Sequence, residues 1–222
     1  MAQTDEEIKK DVVDQLYWDS RVDASKIHVK VNDGKVILDG EVPSYSAKGS
    51  ASSDAWTISG VNIVENELDV EYPETLTLPT DEEIKNNVET SLSLNINIDT
   101  SDIDISVTAG IVTLEGSVDA YWKKTRAESI ASGVNGVLDV INKLTIVPTK
   151  NFIDKDISED IVKSISRNYR VSIDDVDVKV ENGVVTLTGT VPDWDAYRAV
   201  IDSAEFTAGI IDIEDHLIIE NL

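Results

Sequence analysis

The chain has 222 residues, of which 41% are hydrophobic, and it contains no cysteine. This apolar content is sufficient for globular cores and argues against wholesale disorder, while the lack of cysteine excludes disulfide bonds and thiol chemistry. The net charge of −24 repels phosphate backbones and anionic membrane surfaces, so we expect no direct binding of nucleic acid.

The first residues are polar and acidic, with neither the basic region nor the apolar stretch of a signal peptide. No segment approaches the roughly 20 consecutive apolar residues that a membrane-spanning helix needs. We therefore expect the protein to stay in the cytoplasm, with the periplasm as the alternative if the N-terminus has been trimmed.

The first predicted element is an amphipathic helix that recurs three times along the chain. Its apolar residues are spaced i, i+4, i+8, which places them on one helix face. They are Ile8, Val12 and Leu16, then Ile84, Val88 and Leu92, then Ile157, Ile161 and Ile165. Thr4 and Thr80 each precede a glutamate by three residues, which is the spacing of an N-terminal capping box.

A pair of strands follows each helix. Strict alternation of β-branched residues, as in Ile27 to Val31, predicts a half-buried strand, and the return strand reads Val-x-Leu-x-Gly-x-Val. Asp33-Gly34 and Asn182-Gly183 suit a two-residue hairpin turn, in which both central residues have positive φ. Ala109-Gly110 fits this turn less well, so we expect a different turn in the second copy.

A second helix and a closing strand complete each copy. The helix should begin near Ser44, Asp119 and Asp193. In the first copy it contains Gly49, and glycine costs about 1 kcal/mol relative to alanine inside a helix, so this helix should be the least stable of the three. The closing strand has one polar residue on its apolar face, for which we expect a hydrogen bond to a neighbouring loop, with a ligand contact as the alternative. These residues are Asn66, Asn142 and Asp215.

Nine glycines recur at three equivalent positions, and their offsets of 76 and 73 residues show that the copies are ungapped between them. We expect all nine to be structural. They are Gly34, Gly40 and Gly60, then Gly110, Gly116 and Gly136, then Gly183, Gly189 and Gly209. The last glycine of each copy should form a left-handed helix C-cap.

These elements predict an α+β protein of three tandem α-β-β-α-β modules. Each module should contain a small three-stranded mixed sheet with two helices packed on one face. We place the modules at residues 1–73, 78–148 and 152–222, joined by short proline-containing linkers. A core of this size gives an isolated module only a small free energy of unfolding. We therefore expect the modules to pack against one another and to unfold with some cooperativity.

The return-strand motif and the closing Gly-Val-x-x-Val-x-Asn-x-Leu of residues 60–68 and 136–144 resemble the BON domain (bacterial OsmY and nodulation) family. The third copy departs from the closing motif at residues 209–217. The opening of the chain is also similar to that of osmotically inducible, OsmY-like triple-BON proteins that lack a signal peptide. The resemblance implies a link to osmotic or envelope stress and binding of proteins or phospholipid, and it implies no catalytic residues.

No arrangement of residues typical of catalysis, of a metal site or of a cofactor site is present. The two histidines, His28 and His216, fall at positions where the other copies have charged residues, as solvated positions do. The aspartates lack the spacing of an EF-hand loop. We therefore predict a protein that is not an enzyme and needs no cofactor.

Aromatic residues at variable positions are the candidate interaction residues, because aromatic side chains are enriched at interfaces. They are Trp18, Tyr45, Trp122, Trp194 and Tyr197. Packing between neighbouring modules is the favoured interpretation, and contact with an external partner or lipid is the alternative.

We predict a non-enzymatic binding protein that acts through protein partners in osmotic or envelope stress. Association with phospholipid is the alternative, although the net charge of −24 opposes it for anionic lipid. RNA binding is a third hypothesis, since the α-β-β-α-β order resembles KH-type folds. It is disfavoured because no Gly-x-x-Gly loop lies between helices and because the negative charge is spread evenly, with −8, −7 and −9 for residues 1–73, 74–148 and 149–222.

Overall fold

A computed structural model describes residues 3–73 and 75–220. The first two residues of the predicted module 1 and the last two of module 3 lie outside the described residues. The six α-helices of the described chain are α1 (Asp5–Trp18), α2 (Tyr45–Trp56), α3 (Asp81–Ser93), α4 (Tyr121–Ser132), α5 (Asp154–Ser166) and α6 (Trp194–Glu205). The nine strands are β1 (Ile27–Asn32), β2 (Lys35–Val42), β3 (Ile63–Val70), β4 (Ile103–Thr108), β5 (Ile111–Val118), β6 (Asp139–Ile146), β7 (Val176–Glu181), β8 (Val184–Val191) and β9 (Asp212–Ile219).

Each module has a three-stranded mixed sheet, which confirms the predicted fold class. The central strand pairs antiparallel with the strand before it and parallel with the strand after it. The parallel pairing requires a crossover, and the second helix of the module supplies it. Modules 2 and 3 repeat this topology and the same register.

The core of each module lies between its two helices and one sheet face. In module 1, the predicted face of α1 is buried through Ile8, Val12 and Leu16. The helix lies over β1, and Val36 and Leu38 of the central strand are fully buried in the same core. The second helix contributes small residues to the same core, Ala47, Ala51 and Ala55. Small side chains allow that helix to lie close to the sheet, so its stability depends on packing more than on its own sequence.

Both predicted capping boxes are confirmed, and the residue after each threonine has a second role. The carboxylate of Asp81 accepts hydrogen bonds from the backbone N–H of Ala109 at 2.8 Å and of Gly110 at 2.9 Å. Asp5 and Asp154 hold the other two hairpins in the same way. Ala109 has a φ of 51°, close to that of Asp33 and Asn182, so the prediction of a different second turn was wrong. The aspartate holds both N–H groups, which offsets the strain of alanine in this conformation.

The last glycine of each copy is not a helix C-cap, which corrects that prediction. The C-caps are Thr57, Gly133 and Phe206, all in right-handed conformation, three residues before these glycines. Gly60 has a φ of 84°, and a Cβ there would lie 2.9 Å from Cδ1 of Ile8. The glycine therefore lets the chain pass close over the first helix.

The polar residue of the closing strand is bonded to a helix, not to a loop as expected. The Asn66 side chain donates to the carbonyl of Lys48 in α2 at 2.8 Å, and Asn142 donates to Lys124 in α4 at 2.9 Å. In module 3, the hydroxyl of Tyr197 in α6 donates to Asp215. The bond ties the closing strand to the helix that precedes it.

Helix α4 begins one residue later than expected, and Ala120 occupies its N-cap position with no side-chain cap. In the other modules, Ser44 and Asp193 accept a hydrogen bond from the first turn. The predicted residue Asp119 instead forms an ion pair with Lys123 at 2.7 Å.

Ala120→Ser should therefore supply the missing N-cap. We expect the free energy of unfolding to rise by about 1 kcal/mol, because the serine hydroxyl can accept an otherwise unpaired N–H of the first turn. Urea unfolding followed by circular dichroism measures this change. Ala120→Val is the matched control, and an equal gain in that variant would contradict the explanation.

Candidate interaction surface

The three modules contact one another through equivalent positions at the start of the second helix. Tyr45, the first residue of α2, packs on the core of module 2. It faces Asp139 and Glu128 there, and burial together with Asp139 raises the pKa of its hydroxyl to about 12. Tyr45 therefore serves as a contact between modules 1 and 2.

The equivalent residue of module 2 makes the equivalent contact with module 3. Tyr121 packs on the core of module 3, and burial followed by the nearby Asp212 and Glu205 raises the pKa of its hydroxyl. One helical turn later, the hydroxyl of Thr125 donates to Glu205. Tyr121 and Thr125 thus both connect module 2 to module 3.

Module 3 contacts module 1 through a stack of three aromatic rings. Trp194 occupies the position of Tyr45, and its ring lies 4.3 Å from that of Trp56 at an interplanar angle of 7°. Tyr197 extends the stack, with its ring centroid 4.9 Å from that of Trp194. Such pairs contribute about 1 kcal/mol beyond the burial of their area.

The start of the second helix therefore contacts the next module in modules 1 and 2, and in module 3 it contacts module 1. This is a head-to-tail arrangement that closes after three contacts. Of the five aromatic residues predicted, Tyr45, Trp194 and Tyr197 lie in these contacts. Trp122 is half-buried, with the ammonium of Lys123 5.7 Å from its ring centroid.

The fifth predicted residue, Trp18, is 79% exposed at the end of α1, and Tyr17 beside it is 67% exposed. The corresponding corner of module 2 exposes Leu94 and Ile96, and that of module 3 exposes Tyr169. We call these five residues the helix-end corners. Trp18 and Leu94 occupy equivalent positions, as do Ile96 and Tyr169, whereas module 3 has Arg167 at the position of Trp18.

Two carboxyl groups are buried together in module 1, at positions that modules 2 and 3 fill with other residues. Asp19 receives hydrogen bonds from the backbone and guanidinium of Arg21, which lower its pKa to about 2. Asp54 accepts one bond from Gln15 at 3.3 Å, and among the described residues its other oxygen has no hydrogen-bond donor. Burial, and then the charge of Asp19, raise the pKa of Asp54.

Asp54→Asn should stabilise the protein at pH 7 by about 1 kcal/mol, because it removes a buried charge that lacks a full set of donors. A carboxyl group whose pKa is raised by folding stabilises the folded state at pH values below its unfolded pKa, about 3.9. That stabilisation is lost as the pH rises through the pKa of the folded state. The stability gained through Asp54→Asn should therefore shrink as the pH falls toward 4. Urea unfolding at a series of pH values measures this change.

Asp19→Asn is the matched control and should act in the opposite direction at pH 7. Because folding lowers the pKa of Asp19, this carboxylate stabilises the folded state at pH values above its unfolded pKa. That stabilisation is lost as the pH falls toward about 2. Equal effects of the two variants at pH 7 would contradict this assignment.

Within residues 3–73 and 75–220, no group of three or more His, Asp or Glu side chains is placed to hold a metal ion. His28 and His216 are both exposed and lie in different modules. In the same part of the chain, none of the helices combines the length and the apolar character needed to cross a bilayer.

Sequence reasoning missed Trp56, Tyr72 and most of the helix-end corners. Trp56 stands where the other copies have Ser132 and Glu205, so the repeat carried no signal for it. The hydroxyl of Tyr72, in the first linker, accepts from the N–H of Gly136 at 3.0 Å and donates to the carbonyl of Val137 at 3.2 Å. A tyrosine in a linker is a weak signal for such a contact.

Comparison with known proteins gives one family match and several relatives. A family model described as "BON domain" matches residues 4–72, 80–148 and 153–221. Osmotically-inducible protein Y of Escherichia coli (strain K12) is 29% identical over 126 residues, which cover 55% of this chain and 63% of the relative. Outer membrane lipoprotein DolP of Haemophilus influenzae is 36% identical over 105 residues, which cover 46% of this chain and 54% of the relative. The matches thus span less than two thirds of each of these relatives.

Proposed function

The chain belongs to the BON domain family, and on that premise we propose that it is a non-enzymatic protein that binds protein partners in the cell envelope under osmotic stress. The helix-end corners carry this proposal. Large apolar side chains exposed together mark interaction sites, and here the segment at the end of the first helix exposes at least one large apolar side chain in every module.

The names of the relatives support the setting. One is called osmotically inducible and the other an outer membrane lipoprotein. These names favour the periplasmic alternative over the cytoplasm for this chain. Fractionation of cells that produce the native protein, before and after a rise in external osmolarity, tests both the location and the stress response.

Photocrosslinking from the first corner tests partner binding. A photoreactive phenylalanine analogue at position 18 should crosslink to a discrete protein in cells under osmotic stress. The same analogue at position 30, an exposed lysine on the outer sheet face, is the control and should not. Identical crosslinking patterns from both positions would overturn the assignment of the corner.

Binding of the purified crosslinked partner then tests all three corners. We expect the triple variant Trp18→Ser, Leu94→Ser, Tyr169→Ser to bind at least about tenfold more weakly, since exposed aromatic anchors dominate interface energies. Its free energy of unfolding should change little, because these side chains are exposed in the folded protein. Unchanged affinity would contradict the proposal.

Attachment to a membrane surface is the second candidate function. It is favoured by the adjacent exposed Tyr17 and Trp18, since amphipathic rings of this kind sit at the headgroup level of membranes. Flotation with vesicles of phosphatidylethanolamine and phosphatidylglycerol, with and without Ca²⁺, separates the two candidates. Flotation that Trp18→Ser abolishes would support the membrane function over a protein partner.

A further inference from the structure

The contact between modules 1 and 2 contains a site for a phenol. The half-buried ring of Tyr72 reaches the loop after α4, where its hydroxyl bonds to the N–H of Gly136 and the carbonyl of Val137. Burial raises the pKa of that hydroxyl, as expected for a phenol removed from water. One donor and one acceptor of the backbone therefore recognise a tyrosine side chain at this contact.

The same groups occur at the contact between modules 3 and 1. Gly60 and Val61 stand 76 residues before Gly136 and Val137, at the equivalent positions of module 1. Both line a cleft of about 530 Å³ between the two modules. The aromatic residues Trp56 and Trp194 line it as well. A volume of this size is within the range of ligand pockets.

Module 3 has no tyrosine at the position that corresponds by sequence to Tyr72. By sequence, position 221 corresponds to Tyr72 and is an asparagine, which lies outside the described residues. The third module therefore supplies no aromatic ring of its own from that position. A tyrosine that enters this cleft has to come from elsewhere.

Charge limits what kind of segment can bring that tyrosine. The carboxylates of Asp193, Asp195 and Glu220 line the cleft. Asp193 caps α6 and Asp195 pairs with Arg170 at 3.1 Å, while Glu220 is exposed. In a chain with a net charge of −24, this edge attracts a segment that carries lysine or arginine.

We propose that the cleft between modules 3 and 1 binds a tyrosine side chain from a basic segment of a partner polypeptide. The Gly60 N–H donates to the phenol oxygen, and the Val61 carbonyl accepts its proton, as Gly136 and Val137 do for Tyr72. The inference rests on the proposed function, because it names the kind of partner. It uses a different surface from the helix-end corners.

Titration of the full chain with the peptide acetyl-Gly-Lys-Tyr-Lys-Gly-amide, followed by amide and indole NMR signals, tests the site. We expect saturable shifts at Gly60, Val61 and the indoles of Trp56 and Trp194. A peptide with phenylalanine in place of tyrosine should bind at least about tenfold more weakly, because it loses both hydrogen bonds of the phenol. A peptide with glutamate in place of both lysines should bind more weakly still.

Tyr72→Ala provides a second, positive readout. Removing that side chain should open the equivalent cleft between modules 1 and 2, so the tyrosine peptide should now also shift Gly136 and Val137. Absence of saturable shifts at Gly60 and Val61 in the unmodified chain would overturn the proposal. So would equal affinity for the tyrosine and phenylalanine peptides. Partner binding through the helix-end corners is measured separately. Absence of peptide binding in the cleft would therefore not contradict the proposed function.

Discussion

Gly40→Ala is expected to lower the free energy of unfolding by about 3 kcal/mol or more, because the central strand leaves no room for a side chain at this position. A Cβ there would lie 2.1 Å from the carbonyl oxygen of Lys26, a backbone atom that cannot rotate away. The φ of Gly40, 122°, is also one that residues with side chains rarely adopt. Urea unfolding followed by circular dichroism measures the loss.

Gly49→Ala in the same module is the matched control. Gly49 lies inside α2, is exposed and has no atom within 4 Å of the position that a Cβ would occupy. Alanine there should raise the free energy of unfolding by about 1 kcal/mol through helix propensity alone. Two glycine-to-alanine changes nine residues apart should thus have opposite effects on the free energy of unfolding, and a loss of stability in both would contradict the steric explanation.

The second large effect is expected at the aromatic stack between modules 3 and 1. Trp194→Ala should destabilise the protein by about 2 kcal/mol, since it removes a half-buried ring that packs on Trp56 and Tyr197. It should also weaken the coupling between module 3 and module 1. In calorimetry, the unfolding transitions of the three modules should overlap in the unmodified chain. In the variant, the unfolding transition of module 3 should be separate from the other two.

A double-mutant cycle with Trp56→Ala isolates the stack from other effects of each substitution. We expect a coupling energy of about 1 kcal/mol between the two positions. Trp18→Ala is the control, because its exposed ring should give little change in stability and no coupling. Three separate transitions in the unmodified chain, each matching an isolated module, would show that the modules unfold independently.

Local spacing predicted the helices and strands because burial within one element follows its period. The buried face of α1, Ile8 to Leu16, is an example. The turn at Ala109 could not be predicted in this way, because the residue that holds it, Asp81, lies 28 positions earlier. Turn propensity describes the residues of the turn and not a carboxylate brought to it by a helix.

The interaction surface was only partly predictable for a related reason. Sequence analysis identified Tyr45 and Trp194 as candidate interaction residues, but not what they contact. Trp194 meets Trp56, which is 138 residues away in sequence and has no aromatic counterpart in the other copies. Contacts between modules depend on how the three bodies are arranged, and the pattern inside one module holds no information on that arrangement.

The closed order of contacts also has a consequence for how many modules can join in this way. Each module offers one projecting aromatic residue and one receiving surface, and with three modules every projection is matched. A fragment with two modules would keep one projection and one receiving surface without a match. Such complementary ends on a single molecule favour growth into oligomers or fibres. Because the ring closes with three modules, every contact surface is covered within one molecule. Closure therefore protects the protein from polymerising through these surfaces.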